Sequence, residues 1–371
     1  MAKKLRVGIL FGGRSGEHEV SLLSAASILK AIDARKFEVV PIGIDKQGRW
    51  LAGEAARELL AGAQPAKPAP PTASPSASSS HTPGDGQACL DSLHLDVVFP
   101  VLHGTFGEDG TMQGLLELAG VAYVGAGVLG SSAGMDKDVM KRLFAQAGLP
   151  IVRHVTLLRS DWEQSPRKAV ARVEAALRYP LFVKPANLGS SVGISKAHDR
   201  KELTAALRLA SKYDRKLVIE QGVGGKKARA REFEVGVLGN DAPEASVVGE
   251  IIPGKEFYDY EDKYLSEGAV PVIPAPLSRT ETKQIREMAV AAFRACDLSG
   301  LARVDFLMEP DGKRRIYINE VNTLPGFTAI SMYPKLWAAS GIEYKSLITR
   351  LIDLAIERHA EKSRTIYRRE E

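Results

Sequence analysis

The chain is poor in cysteine: only Cys89 and Cys296 occur among its 371 residues. They stand far apart and belong to no CxxC or Cys/His cluster, which argues against a disulfide framework and a structural zinc site and makes the reducing cytoplasm the expected compartment. Long apolar runs are also missing. Nowhere do about 18 apolar residues follow one another, so no membrane partner or spanning helix is expected. Met1 to Arg6 leads directly into a short strand-like stretch, so export is not expected either. Neither charge sign dominates: 50 Lys and Arg against 45 Asp and Glu leave +5, spread thinly, and no basic block suggests nucleic acid as a partner. The Walker pattern GxxxxGK[ST] is absent, which disfavours the P-loop mechanism. What remains, 44% hydrophobic and 26% charged residues, is a globular composition at a length suited to two or three domains.

Val7 to Phe11 is an apolar run closed by Gly12-Gly13, and Ser21 to Ile32 follows with helical periodicity at Leu22, Leu23, Ala26 and Leu29. Phe37 to Ile44 and Asp96 to Leu102 read as further buried strands. Residues 1–125 are therefore expected to form an open parallel α/β domain that takes its ligand at the carboxyl ends of the strands. Residues 62–88 interrupt it with Pro, Ala and Ser and offer no large aliphatic side chain to bury, so they read as a disordered surface insertion of no assigned function. Residues 126–219 suggest a small α+β module: a helix from Ser131 to Gln146, a strand from Leu181 to Lys184, a helix from Arg200 to Lys212 and a strand from Leu217 to Glu220. Residues 220–371 supply strands at Phe233 to Leu238, Leu301 to Leu307 and Ile316 to Val321, with helices from Glu281 to Ala295 and Tyr344 to Glu357.

The chemistry concentrates in three places. Asp311-Gly312 is a hairpin signal between two apolar segments that carry Arg303, Asp305, Glu320 and Asn322. Residues two apart share a strand face, and an even loop centred on the turn puts Arg303 opposite Glu320, with Asp305 on the diagonal and all four side chains on one face. Two carboxylates and an amide oxygen there are hard ligands suited to Mg²⁺. Lys184-Pro185 opens into Asn187-Leu188-Gly189-Ser190-Ser191-Val192-Gly193, whose backbone N–H groups are able to approach phosphate oxygens. Residues 254–264 mix charges with Phe257, Tyr258, Tyr260 and Tyr264 in neither strand nor helix period, and read as a lid bearing the cation Lys263.

Taken with Gly12-Gly13-Arg14-Ser15-Gly16-Glu17-His18-Glu19-Val20-Ser21, His103-Gly104, Gly107-Glu108-Asp109-Gly110, Met135-Asp136-Lys137 and Asn319-Glu320-Val321-Asn322-Thr323 with Pro325-Gly326, these segments resemble the D-alanine:D-alanine ligases of the ATP-grasp superfamily. The resemblance spans positions 8 to 334 and implies an ATP-grasp fold, of mixed α/β and α+β class, with an N-terminal open parallel α/β domain, a central small domain over 126–219 and a C-terminal domain over 220–371. It implies a cytoplasmic homodimer that serves peptidoglycan synthesis and cell-wall biogenesis by joining two D-alanines through an acyl phosphate. ATP and two Mg²⁺ or Mn²⁺ ions would be its cofactors.

Carried over position by position, the resemblance assigns Lys137, Lys184, Ser191 and Lys263 to the ATP phosphates, and Asp305, Glu320 and Asn322 to the metal. Glu220, Gln221 and Val223 fall to adenine, although the stretch after them, Gly224 to Ala230, is longer and more basic than the family pattern; Glu232 falls to ribose. Glu19 matches the acid that receives the first substrate's ammonium, beside His103, with Ser190 and Tyr264 bonded to it. Arg303 and the Gly326 N–H match the oxyanion donors, and Ser331 the group that holds the second carboxylate. Three rivals stand beside this reading: D-lactate or D-serine as acceptor, of which the intact Lys263-Tyr264 pair speaks against D-lactate; a non-catalytic nucleotide-binding or scaffold protein, which the loss of an acidic metal ligand would mark and none is missing; and a Rossmann dehydrogenase. For the last the Gly-Gly-x-x-Gly spacing is incomplete and Asp45 lies too far on.

Overall fold

The computed structural model describes residues 3–62, 85–189, 192–224, 229–252, 270–310, 312, 314–328 and 330–367. The lid segment, the loop serines Ser190 and Ser191, and most of the Pro/Ala/Ser-rich insertion lie outside these residues.

The first sheet is built from β1 (Leu5–Gly12), β2 (Phe37–Ile44), β3 (Trp50–Ala52), β4 (Val97–Val101) and β5 (Ala122–Tyr123) in the order β3-β2-β1-β4-β5. All neighbours but β2 and β3 run parallel. Full burial of β4 on both faces, VVFPV, matches the near-continuous apolar character of parallel strands. The sheet is flanked by α1 (His18–Ala31), α2 (Gly53–Ala61), α3 (Asp85–Leu93) and α4 (Thr111–Leu118). Helix α3 corrects the expected insertion at its end: residues 85–88 are helical, and Leu90 is buried beside Leu116 and Tyr123.

The helix expected from Ser131 to Gln146 is two helices, α5 (Val128–Met135) and α6 (Lys137–Gln146). Asp136 leaves helical geometry at φ −81°, ψ 103°, and its carboxylate accepts the N–H groups of Asp138 and Val139. An Asp that caps a new helix in this way ends the preceding one. The central sheet follows, from β6 (His154–Leu158), α7 (Arg159–Gln164), α8 (Pro166–Ala176), β7 (Leu181–Pro185), β8 (Ser195–Ala197), α9 (Arg200–Ala210) and β9 (Lys216–Gln221), in the antiparallel order β6-β9-β7-β8 around its own core.

The third sheet, β12-β11-β10-β13-β14, comprises β10 (Arg231–Gly239), β11 (Glu244–Ile252), β12 (Val270–Val272), β13 (Gly300–Met308) and β14 (Ile316–Asn322), all antiparallel. Helix α10 (Arg279–Ala295) packs on it with a Ser278/Glu281 capping box. The last two helices, α11 (Met332–Ala339) and α12 (Tyr344–Lys362), turn back toward the first sheet, where Leu347, Ile348, Leu351 and Ile352 share a core with Val7, Ile9, Phe11 and Val101. Among the described residues no helix is long and apolar enough to cross a membrane.

Candidate active site

Strands β13 and β14 carry a polar face on the third sheet. Arg303 lies opposite Asn322 and Asp305 opposite Glu320, two positions from the expected pairing. The reason is a β-bulge: near the turn Met308 pairs with Ile316 and Phe306 with Ile318, after which Asn319 is extra and Asp305 meets Glu320. Side chains alternate with period two, so without the extra residue Val321 would take the place of Asn322 beside Arg303. The bulge returns Glu320 and Asn322 to the face of Arg303 and Asp305. There the Arg303 guanidinium donates to both Asp305 oxygens at 2.7 Å, and Asn322 Nδ2 donates to Asp305 Oδ2 at 3.0 Å. A second carboxylate, Glu234 on β10, lies 3.1 Å from Arg303 Nε. Among the described residues no group of three or more His, Cys, Asp and Glu is suited to hold a metal ion. Asp305, Glu320 and Asn322 instead offer two carboxylates and an amide, a donor set that fits a hard cation sharing its remaining positions with phosphate oxygens.

The bulge also turns Asn319 toward two lysines. Lys141 Nζ donates to the Asn319 carbonyl at 3.3 Å, and Lys184 Nζ to its side-chain oxygen at 3.4 Å. Both lysines reach Glu220, one to each oxygen at 2.8 Å, and Lys141 is fully excluded from solvent. Burial alone would raise the Glu220 carboxyl, yet the two ammonium groups overcome it and hold it at about 2. Burial likewise acts to lower Lys184, and the carboxylates of Glu220 and Glu320 outweigh it, so this cation is held above its ordinary value. Lys137, at the start of α6, donates to the Leu188 carbonyl at 2.9 Å and so faces the loop after β7. That loop is anchored where Asn187 donates to Asp136 and Asp214, while Lys216 pairs with Asp136 at 2.6 Å.

Two clefts meet at this wall. One is lined by Lys137, Leu188, Gly189, Glu320, Asn322 and Glu108. The other contains Glu17, His103, Glu234, Arg303, Gly326 and Ser331, and shares Glu108, Gly189 and Asn322 with the first. Glu19 is not among its walls. Its side chain turns to Lys46 at 2.5 Å, a contact that, with burial opposing, lowers its carboxyl. Glu17, the residue just before α1, is buried in the cleft instead, wedged so closely between Gly104 and Gly189 that a Cβ at Gly104 would overlap its Oε2. The helix begins at His18, earlier than the periodicity from Ser21 suggests, and two residues so spaced across a helix start face different ways. Ser331 precedes the first residue of α11, and its hydroxyl accepts the Thr328 N–H at 3.0 Å. His103 is buried, which lowers its pKa, and its Nδ1 donates to the Leu324 carbonyl at 3.0 Å. Burial first and Glu17 second push Glu108 up to about 8, against the two backbone N–H groups it accepts.

A third cleft, between the central and third sheets, is lined by Arg153, Tyr179, Gln221, Val223, Pro310 and Tyr317. Gln221 and Val223 stand in it, whereas Glu220 directs its carboxylate to the lysines. Glu232 is on β10 between Leu307 and Ile251, within electrostatic reach of Lys184. Ser190, Ser191, Lys263 and Tyr264 fall outside the described residues. Sequence reasoning left Glu17, Glu108, Lys141 and Glu234 without a role. For Glu17 and Glu108 the signal was present, since both stand inside quoted motifs; nothing in the sequence marks Lys141 or Glu234 before the sheets are assembled.

Comparison with known proteins agrees with this geometry. Sequence models of the D-ala D-ala ligase N-terminus and C-terminus match residues 6–126 and 143–353. The chain is 52% identical over 370 residues to the D-alanine–D-alanine ligase of Natranaerobius thermophilus, covering 98% of each, and 52% identical to that of Bacillus licheniformis, covering 97% and 98%. Among solved structures, the D-alanine-D-alanine ligase of Coxiella burnetii superposes with a TM-score of 0.77 at 37% identity, over 98% of this chain and 97% of that one. The VanG D-Ala:D-Ser ligase of Enterococcus faecalis does so with a TM-score of 0.78 at 33% identity, over 95% and 100%. Two family models that together span most of the chain, and full-length relatives half identical to it, establish that the chain belongs to the D-alanine–D-alanine ligases, a family of the ATP-grasp fold.

Proposed function

We propose that the chain is a cytoplasmic, ADP-forming ligase that joins two D-alanines into D-alanyl-D-alanine for peptidoglycan synthesis, acting as a homodimer whose three sheets mark its three domains. One observation carries this reading: the cleft with Lys137 and Glu320 and the cleft with Glu17, Arg303 and Ser331 share the wall of Glu108, Gly189 and Asn322. A phosphoryl group and an amino acid meeting at one wall is what acyl-phosphate chemistry requires.

In the first step a carboxylate oxygen of one D-alanine attacks the γ-phosphorus of ATP. An O–P bond forms, the bond to the bridging oxygen breaks, and ADP leaves with the electron pair. Lys137, Lys184 and Lys263 offset the charge gathered there, and Ser191 donates a hydrogen bond to it. Glu17, in place of Glu19, receives the donor's ammonium. In the second step the free amine of the other D-alanine attacks the carbonyl carbon, a C–N bond forms, and phosphate departs as the amine loses its proton to solvent or base. Arg303 and the Gly326 N–H stabilise the oxyanion of that addition, a contribution of about 2.7–4 kcal/mol per oriented donor in comparable sites. Ser331 and the positive end of α11 suit the acceptor's carboxylate. Gln221 and Val223 serve adenine, Glu232 ribose, and Glu220 acts through its two lysines. Asp305, Glu320 and Asn322 would hold Mg²⁺ or Mn²⁺, as a pair of ions, which when bound supply charge neutralisation at the phosphates.

The test is a side-by-side assay of ADP release and product mass with D-alanine, L-alanine, D-lactate and D-serine. D-alanine is expected to give the dipeptide with one ADP per peptide bond. The likeness to a D-Ala:D-Ser ligase makes D-serine the informative competitor. No dipeptide at saturating D-alanine, ATP and Mg²⁺ would refute the reading.

A further inference from the structure

Leu324 begins the loop that carries Pro325, Gly326 and Ser331, and both of its backbone polar groups are taken by side chains from a single turn of the N-terminal module. Its N–H donates to Glu108 Oε1 at 3.1 Å, and its carbonyl accepts from His103 Nδ1 at 3.0 Å. The other oxygen of Glu108 accepts the N–H of Gly104 at 2.7 Å. Three residues on, the Phe327 N–H donates to Ser24 Oγ of α1 at 3.3 Å. Pro325 and Gly326 are therefore suspended between Leu324, fastened to the turn of residues 103–108, and Phe327, fastened to α1. That turn also meets Glu17, whose carboxylate packs directly against Gly104.

A single carboxylate that accepts from both segments couples their positions: Leu324, two residues before Gly326, cannot move relative to Gly104 without stretching a bond to Glu108. Resting on the ligase reading above, we propose that Glu108 is a positioning residue for the second chemical step, holding the oxyanion loop in register with the turn that seats the donor substrate. Phosphorylation of the donor relies chiefly on Lys137, Lys184 and the cleft that Lys137 lines, and tolerates a looser loop. Attack by the acceptor amine needs the Gly326 N–H aimed at the developing oxyanion, and an oriented donor loses its effect once it drifts. The His103 and Ser24 fastenings remain when Glu108 is altered, so the loop loosens without leaving its place.

The experiment compares full-length wild type with Glu108→Gln in ATP, Mg²⁺ and D-alanine. Glutamine keeps the size but has one acceptor oxygen, and its NH₂ opposes the second N–H. Scrambling of a β,γ-bridging ¹⁸O label in ATP reads acyl-phosphate formation, and dipeptide yield reads aminolysis. Scrambling is expected to stay within about threefold of wild type, while dipeptide turnover falls on the order of 10- to 100-fold, within what one oxyanion donor is worth. The ADP-to-dipeptide ratio should rise from one to above about two, as acyl phosphate is lost to water. Should the variant not fold, His103→Ala and His103→Asn carry the test: alanine must raise the same ratio, and asparagine, whose Nδ2 stands where Nδ1 stood, must lower it again. A wild type that makes no dipeptide would refute the ligase reading and this inference with it. A wild type that makes dipeptide, beside a Glu108→Gln enzyme whose ratio stays at one, would refute the inference alone.

Discussion

Replacing Lys141 by methionine tests the buried ion cluster most directly, because the side chain stays unbranched and only one atom shorter while it loses its charge and donors. Lys141 is fully buried, and the Glu220 carboxylate forms ion pairs with it and with Lys184, each at 2.8 Å. Breaking a buried pair from one side costs about 3–5 kcal/mol. Since Lys184 remains at the same distance, the lower end applies, about 3 kcal/mol. For a unit of this size each kcal/mol lowers Tm by about 2–4 °C, so thermal unfolding at pH 7 should fall by about 6–12 °C. The pH dependence provides a second check. Glu220 is held at about 2, below its ordinary value, so its contribution to stability is complete above the unfolded carboxyl range and is lost as pH falls toward 2. In the variant the carboxyl rises toward its ordinary value, its contribution is smaller, and the gap to wild type closes as the buffer is taken below about pH 4.5. Melting curves from pH 7 to pH 3.5 read both quantities, and KM for ATP should rise as Lys184 is drawn toward the carboxylate. A Tm within about 2 °C of wild type at pH 7, or a difference that does not shrink in acid, would refute the argument.

Three further outcomes are expected. Glu17→Gln should raise KM for the donor D-alanine at least about tenfold, while Glu19→Gln, which breaks only a partly exposed pair with Lys46, should leave it within about twofold; the reverse result would restore Glu19 to the site. Glu320→Gln should lower kcat at least about 10²-fold and displace the Mg²⁺ titration to higher concentration with an unchanged melting curve, and wild-type turnover at ordinary Mg²⁺ would remove β14 from the metal site. Leu351→Ala, in a fully buried position on α12, should cost about 2–5 kcal/mol in urea unfolding; a change below about 1 kcal/mol would mean the helix contributes little to the first core.

Much of the frame was legible in the sequence because the strands that carry the chemistry announce themselves locally. Phe37–Ile44 begins and ends where its apolar run does, β13 extends one residue past expectation at each end, and β14 one residue past it at its end alone. Register was a different matter. The turn signal at Asp311-Gly312 carries no information about an extra residue several positions away, and only the closed sheet reveals that Asn319 is the one displaced. The choice between Glu17 and Glu19 was out of reach of the sequence for a related reason. Both acids lie in the same motif, and what separates them is where α1 starts, a boundary set by packing rather than by periodicity. Lys141 and Glu234 lay beyond reach because a lysine on an amphipathic helix and a glutamate on a strand are ordinary surface residues until other elements cover them.

The return of α12 to the first sheet bears on the order in which the chain is made. The strands of that sheet are all complete by Tyr123, yet one of their faces is closed by Leu347, Ile348, Leu351 and Ile352, which emerge more than two hundred residues later. At a synthesis rate of about 5–20 residues per second, the nascent module spends ten seconds or more with Val7, Ile9 and Phe11 short of their last neighbours. During that interval the ribosome-bound chain presents an unfinished apolar face, the kind of surface that holdase chaperones recognise. The enzyme's earliest segment is thus among the last to be sealed.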